Sequence, residues 1–528
     1  MWLPVILALV AQRTVSVPVR GNEPWTVILC KYSDKDHEPH SQAWVREWMY
    51  GGNTESIASM FYSMSNGVYT IEETNVSEWV KMPWSRTDVI ERIRAERNAT
   101  RTDTTAELFA LFDKTKQLCA DHAASLGVPV RPRRITLLNS ESTAVFGRSS
   151  GVLLSPRMTY SAALVHEMVH SMNIGHSYSE DLRKVFPHGS LGEYGDRYDL
   201  MSTANAWMHA SRFGWAGPGL AGPHLDYLGW LPADRLRYFG GSQGVETLVL
   251  SSLSVPHAKT KGTLLVMLPY DRDEGANVYT VEYRTRNGSD VGIRQPAVLI
   301  HHVKKVGDSF YSYLVSHRGF DELTEGTEWV RFTSGGLLRV RIDSIVSESD
   351  IVITLTSTFD PTRCLPNERQ VEISSEKQSI LEYTNLFKLK YVFDKGSEAA
   401  DVSHVCLPKD GTLTAEAKEQ ARGRARFFER RTWGQNECVE GRVWRAVDPY
   451  DYVCVPPHRV AETRRAVASR SKTGACPRLF TRRLAHDKDL ACVTAHERAR
   501  VIAENRSARR HYKHAAFFNG HDDLVRLP

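Results

Sequence analysis

The sequence predicts an α+β chain in three parts: a mixed helix-and-strand half, an all-β sandwich, and a C-terminal disulfide-containing repeat region. Three observations carry this. The run His166-Glu167-Met168-Val169-His170-Ser171-Met172-Asn173-Ile174-Gly175-His176 reads as a helix followed by a sharp turn. From Gly240 to about Thr358 the texture changes to short alternating apolar runs separated by turn residues. Six of the eight cysteines, Cys364, Cys406, Cys438, Cys454, Cys476 and Cys492, crowd the remainder. At 528 residues the chain is too long for one core.

The start, Met1 to Ala11, matches the apolar part of a signal peptide and is too short to span a bilayer. Cleavage is expected before about residue 17, and no later stretch approaches the roughly 20 apolar residues of a membrane helix. Trp25-Thr26-Val27-Ile28-Leu29 reads as the first strand, which leaves no room upstream for a folded inhibitory domain. Ser155 to Tyr160 look like a loop leading into the histidine helix, and Ala162, Val165, Met168, Val169 and Met172 give that helix an apolar side. The sandwich rests on runs such as Thr247-Leu248-Val249-Leu250, Val278-Tyr279-Thr280-Val281-Glu282-Tyr283 and Ile351-Val352-Ile353-Thr354-Leu355.

The chemistry follows from spacing. His166 and His170 lie four residues apart on one helix face, so both imidazoles reach a metal at about 2.0–2.1 Å. Glu167 then sits beside the metal, placed to take a proton from bound water. If the chain turns back, His176 supplies a third nitrogen and leaves a fourth position open, as catalysis requires. A helix that merely buries its histidines gives no reason for a charged glutamate between them.

This motif resembles that of the metzincins, whose His-Glu-x-x-His-x-x-Gly-x-x-His pattern is followed by a methionine turn. Asn173 stands where the family has glycine, and asparagine best tolerates the positive φ needed there. Glu193 to Ser202 resembles the methionine turn, with Met201 beneath the ligands. Ser56 to Ile71 and Gly222 to Leu231 are similar to segments of the gametolysin-like secreted metallopeptidases, so the resemblance covers about residues 25 to 235. It implies one catalytic Zn2+ held by His166, His170 and His176, Glu167 as the catalytic base, and a substrate-binding edge strand at Val152, Leu153 and Leu154. His224 is assigned to packing, because three histidines already complete the set. His301 and His302 sit at a strand end with nothing nearby to complete a metal site.

The domains are therefore a signal peptide at 1–17, a metzincin-like catalytic domain at 18–236, a β-sandwich at 237–358, a linker or diverged repeat at 359–405, and a basic repeat region at 406–528. An even cysteine count in a secreted chain favours disulfides. The segment Cys438 to Cys454 aligns with Cys476 to Cys492, sharing the spacing of sixteen and matching Arg445 with Arg483 and Asp451 with Asp489. The expected pairs are 438 with 454, 476 with 492, 364 with 406, and Cys30 with Cys119. Glycosylation sequons begin at Asn75, Asn98, Asn287 and Asn505.

From Leu407 onward 25 Lys and Arg face 15 Asp and Glu, so the tail exceeds the whole chain's net charge of +5. That charge suits an anionic glycan, cell wall or membrane surface, while no aromatic platform for nucleic acid is present. The expected function is a secreted zinc endopeptidase cutting extracellular protein or glycoprotein, with the basic tail as a targeting region. The competing expectation is a secreted binding protein on the same scaffold, recognising glycan, cell wall or host surface. Retention of Glu167 favours the enzyme, because a binding scaffold has no physical need for the base.

Overall fold

The computed structural model describes residues 19–519 apart from 53–54, 98–103, 141–144, 149–150, 188, 241–243, 308, 317–319, 334–335, 373–403, 426–437, 440, 472, 487–488 and 513–516. The expected signal peptide, Asn98 and most of the 359–405 segment lie outside the described residues. The chain is a mixed α/β protein with several sheets and two compact units, one of Arg20–Thr432 with Phe517–Pro528 and the other of Trp433–Ala516. Among the described residues no helix is long and apolar enough to cross a membrane.

The first unit begins with a five-stranded sheet. β1 (Thr26–Lys31) is almost wholly buried, as befits an interior parallel strand. It pairs in parallel with β2 (Asn75–Lys81) on one side and β3 (Arg134–Leu138) on the other. Between β1 and β2 run α1 (Gln42–Tyr50) and α2 (Ile57–Ser65). Each starts on a serine, Ser41 or Ser56, whose hydroxyl accepts from the backbone N–H three residues on. After β2 come α3 (Arg86–Arg97) and α4 (Thr104–Ser125), and Cys119 of α4 is bonded to Cys30 of β1 inside a core that includes Ile28, Val80, Leu111, Leu138 and Leu153.

The rest of this sheet corrects one expectation. β4 (Val145–Arg148) is antiparallel to β5 (Gly151–Leu154), and β5 is also parallel to β3. Val152, Leu153 and Leu154 are therefore interior, fully buried, and flanked by ladders on both sides, so they cannot take up a substrate strand. The edges of the sheet are β2 and β4, and β4 is the one that packs beside α5. The resemblance placed the substrate strand at β5, just before the histidine helix, but so continuous an apolar run marks a strand covered on both faces.

α5 (Ser161–His170) follows and packs against β4 and β5. All ten of its residues are buried, so it is enclosed rather than one-sided. α6 (Gly222–Leu228) closes this half, ending on Gly229 at φ 71°.

Two further sheets face each other as a sandwich. One has the order β6 (Gly244–Ser251), β13 (Asp350–Ser357), β12 (Gly336–Ile345), β11 (Glu328–Thr333). The other contains Leu236–Tyr238, β7 (Leu265–Pro269), β8 (Val278–Arg284), β9 (Ala297–Val306) and β10 (Ser309–Leu314) in that order. Their common core holds Leu268, Val281 and Ile300 from one sheet and Val340, Ile353 and Leu355 from the other.

No boundary between compact units falls at 236/237. Tyr178–Ser179, just past the third histidine, pairs in parallel with β10, and buried polar contacts cross the same region. The Gly222 amide donates to Glu282 at 2.5 Å and His301 meets Asp196 at 2.9 Å. A polar group buried without a partner is expensive, so these bonds hold the two parts together as one body. Nor does a break fall at 405/406. β14 (Glu368–Glu372) pairs with β15 (His404–Pro408), the Cys364–Cys406 bond ties the two, and α7 (Ala415–Ala425) follows in the same unit.

The second unit is built from two copies of one motif. In the first, a short hairpin of Val443–Trp444 with Cys454–Val455 leads into α8 (Pro457–Ala466). In the second, Thr481–Arg482 with Ala491–Val493 leads into α9 (Ala495–Ser507). Cys438–Cys454 and Cys476–Cys492 staple the copies. Each hairpin buries an arginine against an aspartate six residues on, Arg445 on Asp451 and Arg483 on Asp489, so the repeat seen in the sequence is a repeated ion pair.

Candidate metal centre

α5 carries His166 and His170 on one face, their ring centroids 4.5 Å apart. Beyond its end the backbone reverses at Asn173, φ 67°, and returns His176 to 5.4 Å from His166 and 4.9 Å from His170. Arg133 secures the helix end, donating to the Ser171 carbonyl at 2.6 Å and hydroxyl at 2.8 Å, where a cation also complements the helix dipole.

Each ring is held through the same atom. His166 Nδ1 meets the Leu200 carbonyl at 3.0 Å, His170 Nδ1 the Ile174 carbonyl at 2.8 Å, and His176 Nδ1 the Glu193 carboxylate at 2.6 Å. These partners only accept, so each Nδ1 carries the proton and each Nε2 presents a lone pair. Burial, with the neighbouring His176, pushes the His166 pKa down to about 3, which keeps that ring neutral. Neutral imidazoles oriented by an outer partner are the form that ligates a metal. One nitrogen from each ring lies within 4.8 Å of the others, so the three residues fit a metal ion.

Glu167 sits on the adjacent face of α5, and burial pushes its pKa up to about 8, opposed by Lys116 and by the Gly147 backbone N–H that donates to it. Gly147 lies on the free edge strand β4. A Cβ there would come within 2.2 Å of the Glu167 carbonyl oxygen and 2.8 Å of its Oε2. The first contact is backbone, so no rotamer relieves it. Gly147→Ala should therefore shift the α5 backbone together with the carboxylate and, on the hydrolytic reading proposed below, lower turnover on the order of 10²-fold, the cost of about 1 Å of misplacement. Steady-state kinetics beside metal analysis checks this, and wild-type turnover would show that β4 does not set the base.

Two residues assigned no role in the sequence reading complete the pocket. Tyr194 places its hydroxyl 2.7 Å from His176 Nε2 with the rings 4.1 Å apart. It does so from φ 58°, a conformation costly for a large side chain and one that marks functional sites. Burial, followed by the charges of Glu193 and Glu167, raises its pKa well above the usual range, so the phenol stays protonated. Glu193 is buried, which alone would raise its pKa, yet the hydrogen bonds from His176 and the Ser190 amide hold it below the ordinary value. Both lie in the stretch read as leading to the methionine turn, but no periodicity distinguishes them from turn residues.

No protein-family model and no curated protein matches the chain. Two crystal structures of wild-type OgpA from Akkermansia muciniphila are similar to it, at 10% and 11% identity over 64% and 67% of this chain and 94% and 96% of theirs, each with a TM-score of 0.25. A likeness that slight carries no weight, and the chemistry is read from the site's own atoms.

Met201 is fully buried in a turn whose preceding carbonyl, Leu200, anchors His166. Asp199 shapes this turn: its carboxylate accepts from the amides of Met201 and Ala221, each at 2.5 Å, and from His224 Nδ1 at 2.8 Å. His224 is thus a buried hydrogen-bonding residue outside the ligand set. His301 pairs with Asp196, and His302 meets Glu180 and Tyr270 at 2.7 Å each. A second metal-sized cluster, Cys364, His404 and Cys406, has its two sulfurs joined in a disulfide and offers no thiolate.

Of the sequons, Asn287 is exposed. Asn75 accepts from Thr26 and Arg131 at 2.8 Å each, and Asn505 donates to the Leu484 and Ala485 carbonyls at 3.3 and 2.9 Å. The amide nitrogen that would carry a glycan donates a hydrogen bond at all three, to Pro129 from Asn75 at 3.4 Å, to Thr285 from Asn287 at 3.2 Å, and to the two carbonyls from Asn505.

Proposed function

We propose that this chain is a secreted zinc endopeptidase of the metzincin type that hydrolyses extracellular protein or glycoprotein substrates. The observation that carries the reading is the convergence of three imidazoles, each anchored through Nδ1, beside a buried glutamate. His166, His170 and His176 would hold the ion. When bound, zinc supplies a Lewis acid that lowers the pKa of a water toward about 7 and polarises the scissile carbonyl.

Glu167 takes the proton from the attacking water and returns it to the leaving amine. Its burial alone favours the neutral acid, and a cation nearby favours the carboxylate needed for that first step. Tyr194 presents a neutral hydroxyl donor from the side of His176, suited to stabilising negative charge developing on the substrate oxygen. An extended substrate pairs with the outer edge of β4, whose Gly147 lets the backbone pass close to Glu167. Four disulfides agree with an oxidising compartment, and the basic repeats provide attraction to an anionic glycan or surface.

The test is metal analysis of the purified chain, followed by incubation with casein and a mixed peptide library. Stoichiometric zinc, hydrolysis lost on chelation, and recovery on adding zinc back are expected. A chain that takes up no zinc, or that holds zinc and cuts nothing, would overturn the proposal and leave the binding-protein alternative.

A further inference from the structure

The last described residues of the chain lie inside the metal-binding half. Phe517–Phe518 forms a short strand, β16, parallel to β10, with Phe518 opposite Phe310. On its other side Phe518 bridges Ile174, its N–H donating to the Asn173 carbonyl at 3.1 Å and its carbonyl accepting from the Gly175 N–H at 2.8 Å. These two bonds clamp the residues on either side of Ile174, whose own carbonyl anchors His170 and whose chain leads directly to His176. The Phe518 ring is fully buried, edge-on to His224 at 5.0 Å and against Tyr227 at 5.3 Å.

Asn519 adds a second connection. Its Oδ1 accepts from the Ser312 amide at 2.8 Å, which fixes the orientation of the side-chain amide. Nδ2 then faces His224 Nε2 at 2.8 Å, a contact between residues 295 apart in sequence. Because Nδ2 can only donate, His224 Nε2 must accept, and its proton sits on Nδ1 facing Asp199. Asp199 in turn holds the Met201 turn whose Leu200 carbonyl anchors His166. Asn519 adopts φ 58°, which asparagine and glycine tolerate and most residues do not.

From this we infer that Phe517–Asn519 is a latch that positions the metal ligands, so that the chain acquires its full metal affinity only when this segment is seated. The residues act through others: Phe518 through the Asn173–Gly175 backbone on His170 and His176, Asn519 through His224 and Asp199 on the turn behind His166. The entire second unit, Trp433–Ala516, precedes this segment in the chain. The metal site is therefore completed only after the second unit has been synthesised.

The inference builds on the metal reading, and its test separates the two. Asn519→Gly in the full-length chain keeps the left-handed backbone and deletes the side chain. Zinc affinity by chelator competition should fall on the order of tenfold, the lower end of what disturbing the outer shell of a metal site costs, in a chain that stays folded with a somewhat lower unfolding midpoint, since the Ser312 amide and His224 Nε2 lose a partner. In the metal-free protein, amide hydrogen exchange at Gly175 should accelerate at least tenfold when the chain is ended at Ala516, and slow again when a synthetic peptide of residues 513–528 is added. Should the shortened chain not fold, the Asn519→Gly affinity decides. Wild-type affinity in Asn519→Gly, or unaltered Gly175 exchange in a folded chain ending at Ala516, would overturn the latch. A wild-type chain that binds no zinc would overturn the metal reading, while the exchange measurement would still judge the latch.

Discussion

Glu167→Gln is expected to leave zinc bound at full occupancy and to cut peptide turnover on the order of 10²-fold or more, the usual contribution of a general base. The substitution preserves shape and the hydrogen bond from the Gly147 amide while removing the ability to take a proton. Glu167 touches none of the anchors that hold the three rings, so metal content should not move. The measurement is kcat on a peptide identified from the library, beside metal analysis of the same sample. Near-normal turnover would remove Glu167 from the chemistry. Loss of zinc would instead make it part of the ligand scaffold.

The largest effect on metal content should come from His170→Ala combined with His176→Ala. His170 and His176 flank the reversal at Asn173, and removing both leaves His166 as one imidazole in a cavity built for three. Affinity should drop by more than about 100-fold, beyond what loss of an outer-shell partner costs. The Ile174 carbonyl and the Glu193 carboxylate also lose their partners, so some loss of stability accompanies the loss of zinc. Chelator competition and metal analysis give the result. Full zinc occupancy in the double variant would show that the ion sits elsewhere.

Much of this centre was legible because it is local. His166 and His170 are neighbours through the four-residue helical repeat, and the short excursion to His176 needs only a reversal that asparagine tolerates. The cysteine pairs were legible for a related reason. Cys438–Cys454 and Cys476–Cys492 are close in sequence and repeated, and Cys30 and Cys119 are the pair left in the part that precedes the sandwich. The edge strand was misplaced because strand order is not a local property. Val152-Leu153-Leu154 has the composition of any buried strand, and only pairing on both sides shows it to be interior.

By itself the sequence determined the helix with its histidines and glutamate, the turn that returns the third histidine, the run of sandwich strands and the duplicated cysteine motif. Each depends on residues within a few turns or one hairpin of one another, where periodicity and backbone preference are strong. Tertiary structure decided what those residues can do. It set Glu193, Leu200 and Ile174 behind the rings, brought the Tyr194 hydroxyl to His176 Nε2, ran Gly147 past the Glu167 carboxylate, and seated Asn519 against His224. These partners are buried polar groups whose bonds must be satisfied across long loops, and no local pattern records which distant donor meets which acceptor. The proton positions on the three imidazoles, and with them the capacity to hold a metal, are a property of that distant pairing.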